Sequence, residues 1–256
     1  METVPEATGW QPLIRSRAWE QVVDRVEEKI LSGELRIGDR LPPERDLASM
    51  LGVSRAAVRE ALRVLEAHGV LHRPQVGTGR DSGSVIAGTP TTGLSRLLRV
   101  HVALSNFDLD EITEARVALE RASASLAASQ ATENDLARMR ELLDRMDDET
   151  LPRDRFNDLD TDFHMALAEA ADNRLLTALT TAIRGAIRHT LLHAFEQLAD
   201  ADAVLNALRR QHRSLYEAVA QGDADRAADE VDWHIRGFHR IASHTLNRSM
   251  PHTPPS

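Results

Sequence analysis

Leu41-Pro-Pro-Glu-Arg-Asp-Leu-Ala-Ser-Met-Leu-Gly-Val-Ser-Arg-Ala-Ala-Val-Arg-Glu-Ala-Leu-Arg-Val-Leu-Glu-Ala-His-Gly-Val-Leu71 decides the reading of the N-terminal third of the chain. Pro42 and Pro43 suit the first turn of a helix and no other part of it. From Glu44 onward, Leu47, Ala48 and Leu51 fall on one face. Gly52 ends that helix, and Ser54 is a natural N-cap for the next. Val58, Ala61, Leu62 and Leu65 then line one side until Gly69. Arg55 and Arg59 lie a turn apart on the other side, near the helix start, where a recognition helix presents side chains to base edges. An amphipathic helix pair with solvated arginines satisfies the same spacing, so the flanks must decide.

The flanks favour a DNA-binding head. Upstream, Trp19, Val22, Val23, Val26, Ile30 and Leu31 form a stripe that can pack on the helix pair. Downstream, Val70-Leu-His-Arg73 and Ser84-Val-Ile-Ala87 bracket the Gly-rich stretch 74–83, the pattern of a β-hairpin with a long tip. Helix, helix-turn-helix and hairpin make a winged helix. Residues 19–87 resemble the GntR family of bacterial transcription regulators. The resemblance rests on Ile30-Leu-Ser-Gly-Glu-Leu35, on Gly38-Asp-Arg-Leu-Pro-Pro-Glu-Arg-Asp-Leu-Ala48 and on Val53-Ser-Arg-Ala-Ala-Val-Arg-Glu-Ala-Leu62. It implies DNA contacts from Arg45, Arg55 and Arg59, a phosphate contact from Ser54, and Gly77 near the wing tip. Ala56 and Ala57 stand where many members carry a hydroxyl, and the tip is longer than usual.

Composition sets bounds on the rest. The 256 residues suffice for two modest domains, and the absence of cysteine excludes disulfides and thiolate ligands. No apolar run approaches the ~20 residues that cross a bilayer. The first residues, Met1 to Gly9, lack the basic start and apolar core of a signal peptide. The expected location is the cytoplasm. A net charge of −9 argues at first against DNA, but its distribution resolves the conflict. Residues 36–80 hold 8 basic and 5 acidic side chains, whereas residues 91–256 hold 19 and 27. Phosphate contact is local, so a small basic face suffices.

The expected organisation is a mainly α chain. It comprises a disordered arm over 1–14, a winged helix-turn-helix domain over 15–87, a linker over 88–93, an all-α bundle over 94–246 and a disordered tail over 247–256. Helices are predicted near 94–104, 109–130, 132–148, 154–171, 174–199, 203–221 and 224–246. Thr132 with Asp135 is a capping-box pair, Pro152 separates two helices, and Asn173 and Gly222 are candidate C-terminal caps.

Among 11 histidines, one opens a pattern: Asp160-Thr-Asp-Phe-His164 places a carboxylate and an imidazole on one helix face. His212 and His234 fall on two further helices, so four ligands could meet at one inward point of a bundle. His189 and His193 share the same spacing and stay open as an alternative. Residues 94–246 resemble the FCD ligand-binding domain of the FadR subfamily, through Glu114-Ala-Arg-Val-Ala-Leu-Glu120, Asp160 to Asn173 and Gln211 to Asp223. The resemblance implies a divalent metal on Asp160, His164, His212 and His234. Zinc is the first expectation, with nickel, iron or manganese compatible with the same donors. It further implies a small carboxylate effector contacting Arg116, with Asn173 and Arg188 as weaker pocket candidates. For Arg116, a salt bridge to Glu120 or Glu114 is the competing role.

The resulting expectation is a homodimeric regulator, most often a repressor, reading an inverted repeat of double-stranded operator DNA. Two alternatives stand beside it. One is a metal-dependent hydrolase with an autoregulatory DNA-binding head, in which Asp162 or Glu169 acts as base. The other is a DNA binder whose metal is purely structural.

Overall fold

The computed structural model describes residues 17–72, 84–87, 91–104, 107–198 and 200–249, leaving aside the side chains of 91, 92 and 244–249. Two compact units divide at Pro90/Thr91.

The first unit holds α1 (Ala18–Leu31), α2 (Glu44–Leu51), α3 (Arg55–Ala67), β1 (Leu71–His72) and β2 (Val85–Ile86). Val22, Val23 and Val26 of α1 share one core with Leu47 and Ala48 of α2 and with Val58, Ala61, Leu62 and Leu65 of α3. Leu31 departs from the expected stripe and is 87% exposed, because it falls on the last turn of α1, beyond the core. The α2–α3 turn follows from two residues. Gly52 adopts φ 66°, which only glycine takes without strain, and no atom crowds the position of a Cβ there. Ser54 then accepts a hydrogen bond from the Ala57 N–H at 3.1 Å, capping α3.

The two strands are antiparallel, with Leu71 opposite Ile86. Strands this short need further support, and the turn before α2 supplies it. Leu41 N–H donates to Ser84 O and Ile86 N–H donates to Asp39 O, both at 2.9 Å. The chain over 38–41 thereby adds a third row to the hairpin base.

The second unit holds α4 (Thr91–Ala103), α5 (Leu109–Gln130), α6 (Glu133–Met146), α7 (Arg153–Ala170), α8 (Arg174–Glu196), α9 (Ala201–Ala220) and α10 (Ala224–Ser249). Thr132 and Asp135 form the expected capping box of α6, and Gly222 takes φ 73° after α9. Several boundaries differ from expectation: α8 ends at Glu196 and not near 199, and α10 continues to Ser249, into the stretch expected to be a disordered tail. Helix α4 begins at Thr91, inside the predicted linker, because threonine and glycine are tolerated in a first turn whose N–H groups lack helical partners anyway. Asn173 is not a C-cap: Asp172 takes the left-handed conformation, and Asn173 caps the start of α8 by accepting from Leu176 N–H at 3.1 Å.

Helices α7 and α8 run antiparallel, as the contacts of Asp160 with Arg184 and of Ala168 O with Thr177 show. Helices α5, α9 and α10 close the bundle around them. On the far side of α8, Gly185 lets α4 approach closely, since a Cβ there would lie 3.3 Å from Ser95. Among the described residues, no helix is long and apolar enough to cross a membrane.

Candidate metal centre and nucleic-acid interface

Helix α7 is buried on several sides, and its inner face carries Asp160 and His164 one turn apart. His212 on α9 and His234 on α10 come from two helices packed against each other. All four residues are buried, and one ligand atom from each lies within 4.8 Å of the others. His212 Nε2 is 3.0 Å from Asp160 Oδ1, and the Nε2 atoms of His164 and His234 are 3.8 and 3.9 Å from the same oxygen. Ligand atoms each ~2.0–2.2 Å from a single ion are separated by about 3–4 Å, so the spacing fits one common cation.

Proton placement gives an independent test. His234 Nδ1 is 3.0 Å from Gln211 Oε1, an acceptor, so Nδ1 carries the hydrogen and Nε2 presents a lone pair. His164 Nδ1 is 2.8 Å from the Glu120 carboxylate, which assigns its hydrogen in the same way, although the N–H direction is too oblique for a well-formed hydrogen bond. The Nε2 atoms of His164 and His234 then bring two lone pairs 3.2 Å apart. Lone pairs at that distance repel unless a cation lies between them. His212 Nε2 is likewise close to Asp160 without the alignment of a hydrogen bond, the relation expected of two ligands on one ion. The residues fit a divalent metal.

The protonation states agree. Burial and the Arg184 charge push His164 down to about 4, against the pull of Glu120 and Asp160. Burial, with His212 and His164 adjacent, holds His234 well below its ordinary value. Burial acts to raise Asp160, but His212, His164 and Arg184 outweigh it and hold the carboxyl well below its usual range. Neutral imidazoles and an ionised carboxylate are the forms that bind a metal.

Glu120 organises a second layer. Its carboxylate takes two hydrogen bonds from Arg184, Nε to Oε1 at 3.0 Å and Nη2 to Oε2 at 2.6 Å, and one from Arg116 Nε at 3.2 Å. Arg184 Nη1 reaches Asp160 Oδ2 at 3.1 Å, so one guanidinium ties the metal-ligating carboxylate to Glu120. Burial favours the neutral form of Glu120, yet Arg184, His164 and Arg116 hold its pKa well below the ordinary value. Arg116 keeps 8% of its side-chain exposure, and its terminal nitrogens have no partner among the described residues. It therefore makes the salt bridge weighed from sequence and keeps a fork to spare.

Arg184 is the residue that sequence reasoning passed over, and Glu120 was read there only as a partner of Arg116. Arg188, one turn beyond Arg184, instead pairs with Asp158 at the edge of an open cleft that Asp162 also lines. Asn173 is an exposed cap. The structure brings neither to the cluster. His189 and His193 are exposed as well, and Glu169 is occupied by Arg138 at the surface.

In the first unit, Arg45, Arg55 and Arg59 are exposed. Arg45 leans on its neighbour Asp46 at 3.1 Å, and Arg59 meets Glu44 across the turn at 3.2 Å. Arg55 has no ion-pair partner among the described residues. Gly77 and the wing tip lie outside the described residues.

Comparison with known proteins bears on both units. Residues 18–79 match the bacterial regulatory proteins of the gntR family, and residues 111–237 match the FCD domain. The HTH-type transcriptional regulator LutR of Bacillus subtilis (strain 168) is 30% identical over 215 residues, covering 84% of this chain and 96% of LutR. The putative L-lactate dehydrogenase operon regulatory protein of Escherichia coli (strain K12) is 31% identical over 229 residues, covering 87% and 85%. A solved structure of Streptococcus agalactiae GntR superposes with a TM-score of 0.61 at 27% identity, covering 87% of this chain and 99% of the other. A helix-turn-helix head followed by an FCD bundle, with likeness along nearly the whole length of curated regulators, places this chain in the GntR family of bacterial transcription regulators.

Proposed function

We propose that this chain is a homodimeric operator-binding repressor whose FCD bundle holds one divalent metal and responds to a small carboxylate. The observation that carries this reading is the unspent fork of buried Arg116 beside the Asp160–His164–His212–His234 cluster. Within the cluster, Arg116 and Arg184 are balanced in charge by Glu120 and Asp160. A divalent cation on neutral histidines leaves an excess of two positive charges in a buried place, and it supplies an exchangeable position for an anionic oxygen. Zinc suits the nitrogen-rich donor set, and nickel, iron or manganese would use the same atoms.

The residues divide the work. Asp160, His164, His212 and His234 fix the cation, and Gln211 and Glu120 hold two of the rings in the ligating orientation. Arg116 offers two parallel N–H groups, the geometry that takes a carboxylate bidentately. Arg184 links the carboxylates of α5 and α7, so a ligand that displaces either one is felt by both helices. The unit as a whole is acidic, so affinity must come from these short-range groups and not from long-range attraction. The E. coli relative is named as a putative regulatory protein of an L-lactate dehydrogenase operon, and lactate is a small carboxylate, which supports the same ligand class. On the DNA side, Arg45, Arg55 and Arg59 face the operator, Ser54 meets a phosphate, and a dimer reads an inverted repeat. The effector weakens operator binding by favouring the other arrangement of the heads.

Elemental analysis should give about one metal equivalent per chain, and His212→Ala with His234→Ala together should abolish it. Calorimetry with small mono- and dicarboxylic acids should then show binding to metal-loaded protein that is lost on metal removal and weakened by Arg116→Ala. An acid that binds all three forms equally would sink the pocket chemistry. An acid that binds only the loaded wild type but leaves operator affinity unchanged would sink the switch.

A further inference from the structure

Helix α10 has an inner and an outer face. Val231, His234, Ile235, Phe238 and Ala242 are buried toward the bundle. On the outer side stand Trp233, 56% exposed, and Ile241, 39% exposed, with Gly237 midway between them. Each is four residues from the next, so the three lie along one stripe.

Gly237 costs its helix. Glycine in a helix interior is about 1 kcal/mol less favourable than alanine. This one takes no positive φ, and no described atom lies within 4 Å of where its Cβ would be. Gly185 differs, because Ser95 crowds it. Nothing described in the protomer therefore calls for glycine at position 237. A bare stretch of backbone between two exposed apolar side chains permits the close approach of a second helix from outside.

Charge identifies that helix. From Ala224 to Asp232, α10 carries four acidic residues and one basic, whereas from Trp233 to Ser243 it carries Arg236 and Arg240 and no acid. The helix macrodipole favours this order of charge at the helix ends, but it accounts for neither an exposed tryptophan nor a glycine in mid-helix. Laid antiparallel on a copy of itself about Gly237, the helix sets its acidic half against the basic half of the other. Residues equally far before and after the glycine then meet. Trp233 and Ile241 are each about 6 Å from the crossing at ~1.5 Å per residue, so Trp233 of one protomer meets Ile241 of the other, twice. Arg240, whose Nε donates to Arg236 O at 3.3 Å, has no ion-pair partner among the described residues. In the antiparallel pair it comes alongside the Trp233 ring of the other protomer and the largely exposed Asp229 carboxylate, which within its own protomer has only Arg121 beside it, at 2.9 Å.

We infer that two copies of this chain pair through α10, antiparallel about a two-fold axis at Gly237. This rests on the homodimer of the proposed function, and it assigns the surface that the copies share.

The test uses the full-length, metal-loaded chain, which has no cysteine. Under mild oxidation Gly237→Cys should go over to a disulfide-linked dimer, since a close two-fold crossing brings the two Cα atoms within the ~4.4–6.8 Å that a disulfide spans. Glu141→Cys, exposed on α6, should stay unlinked as the control. In sedimentation, Gly237→Leu and Trp233→Ala should each raise the dimer Kd by roughly tenfold or more while the metal content stays unchanged. Gly237→Leu should denature at no lower urea concentration than wild type when both are dilute enough to be monomers. If Gly237→Leu does not fold, Trp233→Ala and the cross-link carry the comparison. A wild-type dimer that neither substitution weakens, and that Gly237→Cys does not lock, would place the interface on another face; the inference would be wrong and the homodimer would stand. A wild-type chain that is monomeric at every concentration would overturn both.

Discussion

The two units use arginine in opposite ways. In the head, Arg45, Arg55 and Arg59 stand in solvent, and the partners they do have, Asp46 and Glu44, are one residue away or across a turn. In the bundle, Arg116 and Arg184 keep 8% and 1% of their side-chain exposure and are held by Glu120 and Asp160. An exposed ion pair contributes little to stability, so its members can be exchanged for a phosphate or a base edge at small cost. A buried guanidinium without its carboxylate is an uncompensated charge, so its partners belong to the fold. The head can therefore lose function without losing structure, whereas in the bundle the two are tied together.

The largest effect that this contrast predicts comes from Glu120. Glu120→Gln removes the counter-charge of Arg116 and Arg184 and the carboxylate facing His164, and should cost about 3–5 kcal/mol. Glu44→Gln in the head, which frees Arg59, should stay within roughly 0.5 kcal/mol. Urea denaturation of both variants checks this, and comparable losses would break the comparison. Acid gives the next effect. In metal-free protein, His164 is neutral down to about 4, while the unfolded chain protonates near 6.5. The unfolded state therefore binds the extra proton as pH falls through this window, and stability is lost between about 6.5 and 4 and not above it. For His164 alone the loss is on the order of 3 kcal/mol, and His234 acts in the same direction. Below that window the depressed carboxyls Asp160 and Glu120 continue the loss. Denaturation at pH 7 and 4.5 measures it, with His164→Gln as the flattened control. A flat wild-type profile would contradict the burial of neutral imidazole.

The same contrast explains what could be read without coordinates. Helix boundaries with a local chemical cause, such as Thr132–Asp135 and Gly222, were legible because cap and helix are adjacent in sequence. The helix-turn-helix was legible for the same reason. The four metal ligands came from spacing joined to family resemblance, not from spacing alone, since His189 and His193 offered the same spacing and are exposed. Arg184 was missed in favour of Arg188 because the inward face of α8 had to be known to within one residue. Thr180, Arg184, Ile187 and Leu191 form that face, and its two polar members hide it from a hydrophobic pattern. Glu120 was legible as a partner of Arg116 but not as the anchor of two arginines and a histidine. That role depends on α5 meeting α7 and α8, a long-range fact.

In the head, smaller effects sharpen the comparison. Arg55 has no ion-pair partner among the described residues to release, so Arg55→Ala should leave stability unchanged. It should cost about 1–3 kcal/mol of specific operator affinity if its fork pairs with a guanine. A gel-shift titration at fixed salt measures it, and loss of stability in parallel would mean that Arg55 belongs to the fold after all.

Ser54 is the one residue of the head in which the two kinds of role meet, and it gives the smallest and sharpest prediction. Its hydroxyl caps α3 through the Ala57 N–H, and the same exposed hydroxyl is proposed to face a phosphate. Ser54→Ala removes both and should cost about 1 kcal/mol of stability. Ser54→Asp keeps an equally good cap and adds a charge that the helix start favours, so stability should hold or rise by a few tenths of a kcal/mol. Its carboxylate, however, would repel the phosphate that the hydroxyl would have met, so operator affinity should fall and salt should partly restore it. Ser54→Asn, a neutral cap, should bind nearly as the wild type does. If the aspartate variant binds the operator as tightly as serine at low salt, Ser54 serves only the fold, and the separation of function from stability in the head ends at that residue.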